Sequence, residues 1–179
     1  ELGVGLRIYQ VADEAALLEE LHQGRADLVA AAITPDVHWH RVARTTDAYQ
    51  EVAQLAVGRR GGSRPPNVAG FEGRRLVVRA HSPQIQVLQA LRDNGAPWLH
   101  WREVARDEDP LALVASDEAD FAIVDANEFP YLRHQHPGVV KALELPDPRS
   151  THWMVERRAV DLAMRIDTFF ATIKGDGRL

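Results

Sequence analysis

In this 179-residue chain, a carboxylate, two hydroxyls and an aromatic ring stand where a small molecule could be gripped. Asp125 closes the run FAIVD at Phe121 to Asp125. At a strand end it can cap a helix beginning near Asn127 or hold a partly buried carboxylate for a cation. Ser82 precedes Pro83, so its hydroxyl with the amides of Gln84 and Ile85 forms an anion-competent helix start, as any N-cap does. Thr34 ends the run LVAAAIT and offers a hydroxyl either to a ligand or to a turn. Trp39 can stack on a sugar or peptide, or pack a core.

Other chemistries fit less well. His38 with His40, and His134 with His136, have His-x-His spacing, which could share a metal on a strand and need not on a helix or loop. Exposed or ligand-adjacent histidines are the favoured reading, and no metal site is assigned. Ser82 is the only serine beside a histidine, His81, and has no G-x-S-x-G context for a nucleophile. Asp107, Glu108 and Asp109 sit in a polar loop before a helix and read as solvated helix-start charge. Gly61-Gly62 leads into Pro65-Pro66 rather than a helix, so it is not a phosphate loop.

Composition narrows the classes further. Twenty-one Lys and Arg against 26 Asp and Glu give a net charge of -5, which argues against nucleic acid as a partner. Cysteine is absent, excluding disulfides, thiolate metal sites and Cys nucleophiles. No apolar run approaches the roughly 20 residues of a membrane helix.

The elements that must position these residues read as α/β. Glu1-Leu2-Gly3 has the form of a helix end. Val4 to Val11 alternates as a strand, and Asp13 caps a helix to Gln23 with Leu17, Leu18 and Leu21 on one face and Gly24 closing it. Leu28 to Thr34 reads as a parallel strand buried on both faces, giving a β-α-β unit. Glu51 to Arg59 is a strand, and the breaker RGGSRPP after it suggests a lobe boundary.

A second α/β series follows: strand Arg75 to Arg79, helix Pro83 to Asp93, strand Leu99 to Val104, helix Pro110 to Ser116 and strand Phe121 to Asp125. Ser82-Pro83 and Asp109-Pro110 each set a capping oxygen before a proline at the first helical position. Asn127 to His136 reads as a helix, Val139 to Leu145 and His152 to Glu156 as strands, with the breaker Pro146-Asp147-Pro148 between them. The last helix, Ala159 to Lys174, places Leu162, Ile166, Phe169 and Ile173 on one face. The resulting division is 1-53 with 150-179 as lobe 1 and 54-149 as lobe 2. Two connections between lobes would leave a ligand cleft at the carboxyl ends of the strands.

In their order, several strings resemble family 3 periplasmic solute-binding domains: Leu21 to Ala31 (L-x-x-G-x-x-D-L-x-A-A), Tyr49 before the crossing strand, Pro65 to Val78 (P-x-x-V-A-G-F-E-G-R-R-L-V-V), Ala119 to Asp125 (ADFAIVD) and Phe169 to Leu179 (FFATIKGDGRL). YQEVAQLAVGRR from Tyr49 and YLRHQHP from Tyr131 resemble more specifically the N-terminal regulatory domains of the membrane-bound lytic murein transglycosylase F family. The resemblance covers essentially the whole chain. It implies a type II periplasmic-binding-protein fold of two α/β lobes, preceded by about one further β-α unit and followed by a catalytic domain.

The resemblance further implies that an amino acid is held by its charges, with Asp125 taking the ammonium and Thr34, Tyr49 and Ser82 completing the ligand set. Trp39 stands where the family has its carboxylate-clamping Arg, with Arg41 two and Arg44 five residues later. The implied function is a non-catalytic module sensing an amino acid or muropeptide for a catalytic domain in cis, with no cofactor. The implied location is the periplasm or the periplasmic face of the outer membrane. The alternative is a free-standing amino-acid-binding protein of an ABC transporter, and a third reading is a docking surface that binds no small molecule.

Overall fold

The computed structural model describes residues 5–12, 14–33, 35, 37–105 and 107–178. Its elements are α1 (Glu14–His22), β1 (Leu28–Ile33), α2 (Val37–Val42), β2 (Ala43–Thr45), β3 (Gln50–Val52), β4 (Gln54–Arg59), a 3-10 turn (Val68–Phe71), β5 (Leu76–Arg79), α3 (Gln84–Asp93), β6 (Trp101–Val104), α4 (Pro110–Ala115), β7 (Phe121–Asp125), α5 (Phe129–Leu132), β8 (Val139–Glu144), β9 (Arg149–Glu156) and α6 (Val160–Gly175). They form two units, Glu1–Gln50 with Thr151–Leu179, and Glu51–Ser150. The Arg60 to Pro66 breaker lies inside the second unit. It is the turn leaving β4, with Gly61 at φ 81° and the Gly62 amide donating to the Arg59 carbonyl at 2.9 Å.

The second unit is a five-stranded sheet in the order β6-β5-β7-β4-β8. β5 runs parallel to β6 and β7, whereas β4 is antiparallel to β7 and β8. Successive side chains on a strand point to opposite faces, and here both faces are apolar. Leu55, Val57, Val77, Ala122 and Val124 enter one core with Leu111 and Val114 of α4 and Phe129 of α5. Ala56, Leu76, Val78, Phe121 and Ile123 enter the other with Leu88 of α3 and Phe71 of the 3-10 turn. Gly58 lies opposite Phe121, and a Cβ there would stand 3.1 Å from the Phe121 ring, so glycine makes room for the Phe71–Phe121 edge contact.

The first unit is built on β9, which pairs antiparallel with β1 and β2. Met154 packs on one side with Leu21, Val29, Ile33, Trp39 and Ala43, and its neighbour Val155 on the other with Ala163, Ile166, Phe170 and Ile173 of α6.

Several expectations change. Residues 5–11 form no strand, and Leu6 and Ile8 are about four-fifths exposed, at 79% and 81%. Alternation supplies a strand only where a partner edge takes its hydrogen bonds, and no ladder reaches this segment. β1 is antiparallel to β9 rather than parallel, because its neighbour is the returning strand and not a crossover product. The strand expected over Glu51 to Arg59 breaks at Ala53, where the chain leaves the β9 pairing for β7 and β8. The helix expected over Asn127 to His136 shrinks to Phe129–Leu132. Tight three-residue turns carry the backbone on to His136. On α6 the buried stripe is Ala163, Ile166, Phe170 and Ile173, with Leu162 half-buried and Phe169 exposed.

Candidate functional site

The carboxyl ends of parallel strands are where open α/β sheets bind ligands, and in the second unit the ends of β5 and β7 meet a buried polar cluster. Asp125 is the last residue of β7, and Gln54, its cross-strand partner, is the first of β4. Gln84 opens α3 just after β5, and Arg149 opens β9. Asp125 Oδ1 accepts from Gln54 Nε2 at 2.8 Å and from Gln84 Nε2 at 2.7 Å. Oδ2 accepts from Arg149 Nη2 at 2.7 Å. All four side chains are buried, Asp125 at 4% exposure and Arg149 at 6%.

A carboxylate this far from water is stable only when it is paired and hydrogen-bonded. The guanidinium supplies the countercharge, and the two amides fix the orientation of the carboxylate. Gln54 Nε2 also donates to the Val52 carbonyl at 3.2 Å, while Gln54 Oε1 is buried without a donor. Nearby, partial burial first and the Asp125 charge second raise the Glu128 carboxyl above its ordinary value, against the pull of Arg149 and Arg79.

The β5–α3 turn has an unexpected form. His81 adopts φ 58°, a left-handed conformation that is uncommon outside glycine. Pro83, not Ser82, is the N-cap of α3, and no side chain caps it. The Ser82 carbonyl accepts from the Ile85 amide at 3.1 Å, while its Oγ is buried with no hydrogen-bond partner. The expected capping role of Ser82 is therefore corrected, and its hydroxyl is left buried and without a hydrogen-bond partner at the head of the helix. The capping reading of Asp125 is likewise replaced. Its backbone carbonyl accepts from Glu128, but its carboxylate belongs wholly to the buried cluster.

The other expected ligand residues lie in the first unit. Thr34 falls outside the described residues. Trp39 is 2% exposed within the core of α1, β1 and α2, so it packs that core and presents no ring face for stacking. A large ring two residues into a short helix is drawn to the apolar side it can fill. Tyr49 is half-buried between the rings of Trp153 and Phe170, at centroid distances of 6.1 and 5.4 Å. Arg41 and Arg44 are exposed.

Of the paired histidines, His136 Nε2 contacts Asp109 Oδ2 at 2.6 Å. Asp109 caps α4 as expected, accepting from the Leu111 amide at 2.9 Å. Burial pushes its carboxyl up, but the Leu111 amide and His136 outweigh this and hold it below the ordinary value. Among the described residues no group of three His, Asp or Glu could hold a metal. Among them too, no helix is long and apolar enough to cross a membrane.

The sequence reading missed Gln54, Gln84 and Arg149 as cluster members. Arg149 follows a Pro-Asp-Pro breaker and reads as part of a polar turn. Gln54 gives the better signal, a polar residue opening a strand that is buried from Gln54 to Gly58.

No protein-family profile matches the chain. It is similar to membrane-bound lytic murein transglycosylase F of Erwinia tasmaniensis, 28% identical over 180 residues, covering 98% of this chain and 36% of the relative. The same protein of Serratia proteamaculans is 30% identical over 183 residues, covering 99% of this chain and 37% of the relative. The chain thus spans little more than a third of the length of these relatives. Among solved structures, a probable amino-acid ABC transporter extracellular-binding protein from Bacillus subtilis superposes with a TM-score of 0.79 at 15% identity, covering 95% of this chain and 75% of that one. Holo ArgBP from T. maritima superposes at 0.72 with 19% identity, covering 97% of this chain and 74% of that one. The chain is a homologue of the N-terminal region of these transglycosylases, with the fold of family 3 solute-binding proteins.

Proposed function

We infer that this chain, as a homologue of the N-terminal part of membrane-bound lytic murein transglycosylase F, is a non-catalytic solute-binding and regulatory module. It senses an amino acid or a muropeptide on the periplasmic side of the membrane and passes the bound state to a catalytic domain on the same polypeptide. The observation that carries this reading is the extent of the match. Nearly the whole chain aligns with about a third of each transglycosylase, and the chain itself has the fold of amino-acid-binding proteins.

The second unit supports a binding role, since its polar cluster and the Ser82 hydroxyl both lie at the carboxyl ends of parallel strands. Ser82 Oγ and the start of α3 serve as ligand donors in this unit, and the Asp125 cluster holds the strand ends and α3 in place around them. A ligand shifts the module only by its differential affinity for the two states. Titration calorimetry with free amino acids and with purified muropeptides tests this, with Ser82→Ala as the variant. A saturable heat that weakens at least tenfold in Ser82→Ala is expected, and absence of heat and of thermal shift with every compound contradicts the reading.

A further inference from the structure

The carboxylate of Asp125 has the form of a cation site that is already full. Two glutamine amides from β4 and α3 fix Oδ1, and Oδ2 takes Nη2 of Arg149, 24 residues on in the chain. The amides carry no charge, so Arg149 supplies the countercharge in its ion pair with Asp125, and both side chains are more than nine-tenths buried. The same cluster holds a further buried acceptor with no donor, Gln54 Oε1. Carboxylate plus spare acceptor suits a donor-only group with several N–H bonds, which is the chemistry of a guanidinium or ammonium.

We propose that Asp125, Gln54 and Gln84 build a guanidinium subsite that Arg149 fills in cis, making Arg149 a specificity-determining residue. With the subsite occupied from within, the second unit gives Asp125 to no ligand ammonium. The compounds it recognises are those with a neutral or acylated group at that point, rather than free amino acids held by their α-ammonium. This consequence for the ligand rests on the binding-module reading; the subsite itself does not.

Removing the Arg149 side chain vacates a cavity that still contains a buried carboxylate and its two amides, so a small cation should restore what was lost. The test compares the wild-type chain, Arg149→Ala and the double variant Asp125→Asn/Arg149→Ala. Each is titrated with methylguanidinium, methylammonium and tetramethylammonium chloride at matched ionic strength, and thermal unfolding is followed by circular dichroism. Arg149→Ala is expected to melt several degrees below wild type and to regain most of that loss saturably with millimolar methylguanidinium, less with methylammonium and not with tetramethylammonium. If Arg149→Ala does not fold alone, the same titration reads recovery of the folded signal. Wild type and the double variant are expected to show no saturable response.

The proposal is overturned if methylguanidinium neither stabilises nor refolds Arg149→Ala, if the double variant responds as strongly, or if wild type takes the cation as tightly as Arg149→Ala. Because this readout uses no amino acid or muropeptide, a failed ligand screen on wild type would count against the binding-module reading and leave the subsite standing.

Discussion

Asp125 and Arg149 are each held in place by the other's charge, and the consequence of separating them follows from desolvation. Taking away one member of a buried pair leaves the other ionised without compensation, at a cost of about 3 to 5 kcal/mol. Asp125→Ala is therefore expected to lower unfolding stability by that order in urea denaturation, and a loss under about 1 kcal/mol would mean that Arg149 finds water. Glu128 adds a pH dependence of opposite sign to the usual carboxylate. Its raised value means that the folded state holds the proton more tightly than the unfolded chain, so this group's contribution falls as pH rises above about 4.3. Glu128 keeps more than a third of its surface in water, so the effect is small. Glu128→Gln is expected to raise the melting temperature slightly at neutral pH, with the difference vanishing below about pH 4. A difference that grows on acidification would contradict this. At this scale the sequence marked Asp125 as a strand-end carboxylate with a functional look, but not the partner that neutralises it. Such a partner comes from 24 residues away, and one sequence carries no signal for a contact made by tertiary pairing.

Element by element, legibility tracked burial. The inner strands β5 and β7 of the second unit are readable because both their faces are buried and their apolar runs are nearly continuous, and Asp109-Pro110 marks the start of α4 correctly. Removing that cap in Asp109→Ala should cost about 1 kcal/mol in chemical denaturation. Part of the loss should appear only above the depressed Asp109 value, because the charged form is the one the Leu111 amide and His136 favour. An unchanged denaturation midpoint would show the cap to be replaced by solvent. Ser82-Pro83 looks the same in sequence yet forms no side-chain cap; here His81 is in a left-handed conformation and the Ser82 hydroxyl is buried.

The apolar spacing places the last helix to within a residue or two but puts Phe169 rather than Phe170 in its buried stripe. Both spacings fit a 3.6-residue period. The choice was made by the aromatic pocket of Tyr49 and Trp153, which lies at centroid distances of 5.4 and 5.0 Å from Phe170. Phe170→Ala is expected to cost about 3 to 5 kcal/mol and Phe169→Ala less than about 1 kcal/mol. Equal losses would refute the assignment.

For the whole molecule, the chain's division into two α/β units was implied by its resemblance to solute-binding domains, and the fold of the solved neighbours agrees with that class. The ligand was harder to read, because recognition depends on which polar groups are left unsatisfied once the protein has paired its own. Trp39 illustrates this: in sequence it stood at the place of a ligand clamp, and in the structure it fills a core. We propose that the chain binds a muropeptide or amino acid without acting on it. Titration calorimetry of the wild-type chain with muropeptides and free amino acids, followed by mass analysis of the recovered ligand, tests it most directly. A saturable heat and a ligand recovered intact are expected. No heat with any compound, or a ligand recovered cleaved, would contradict it.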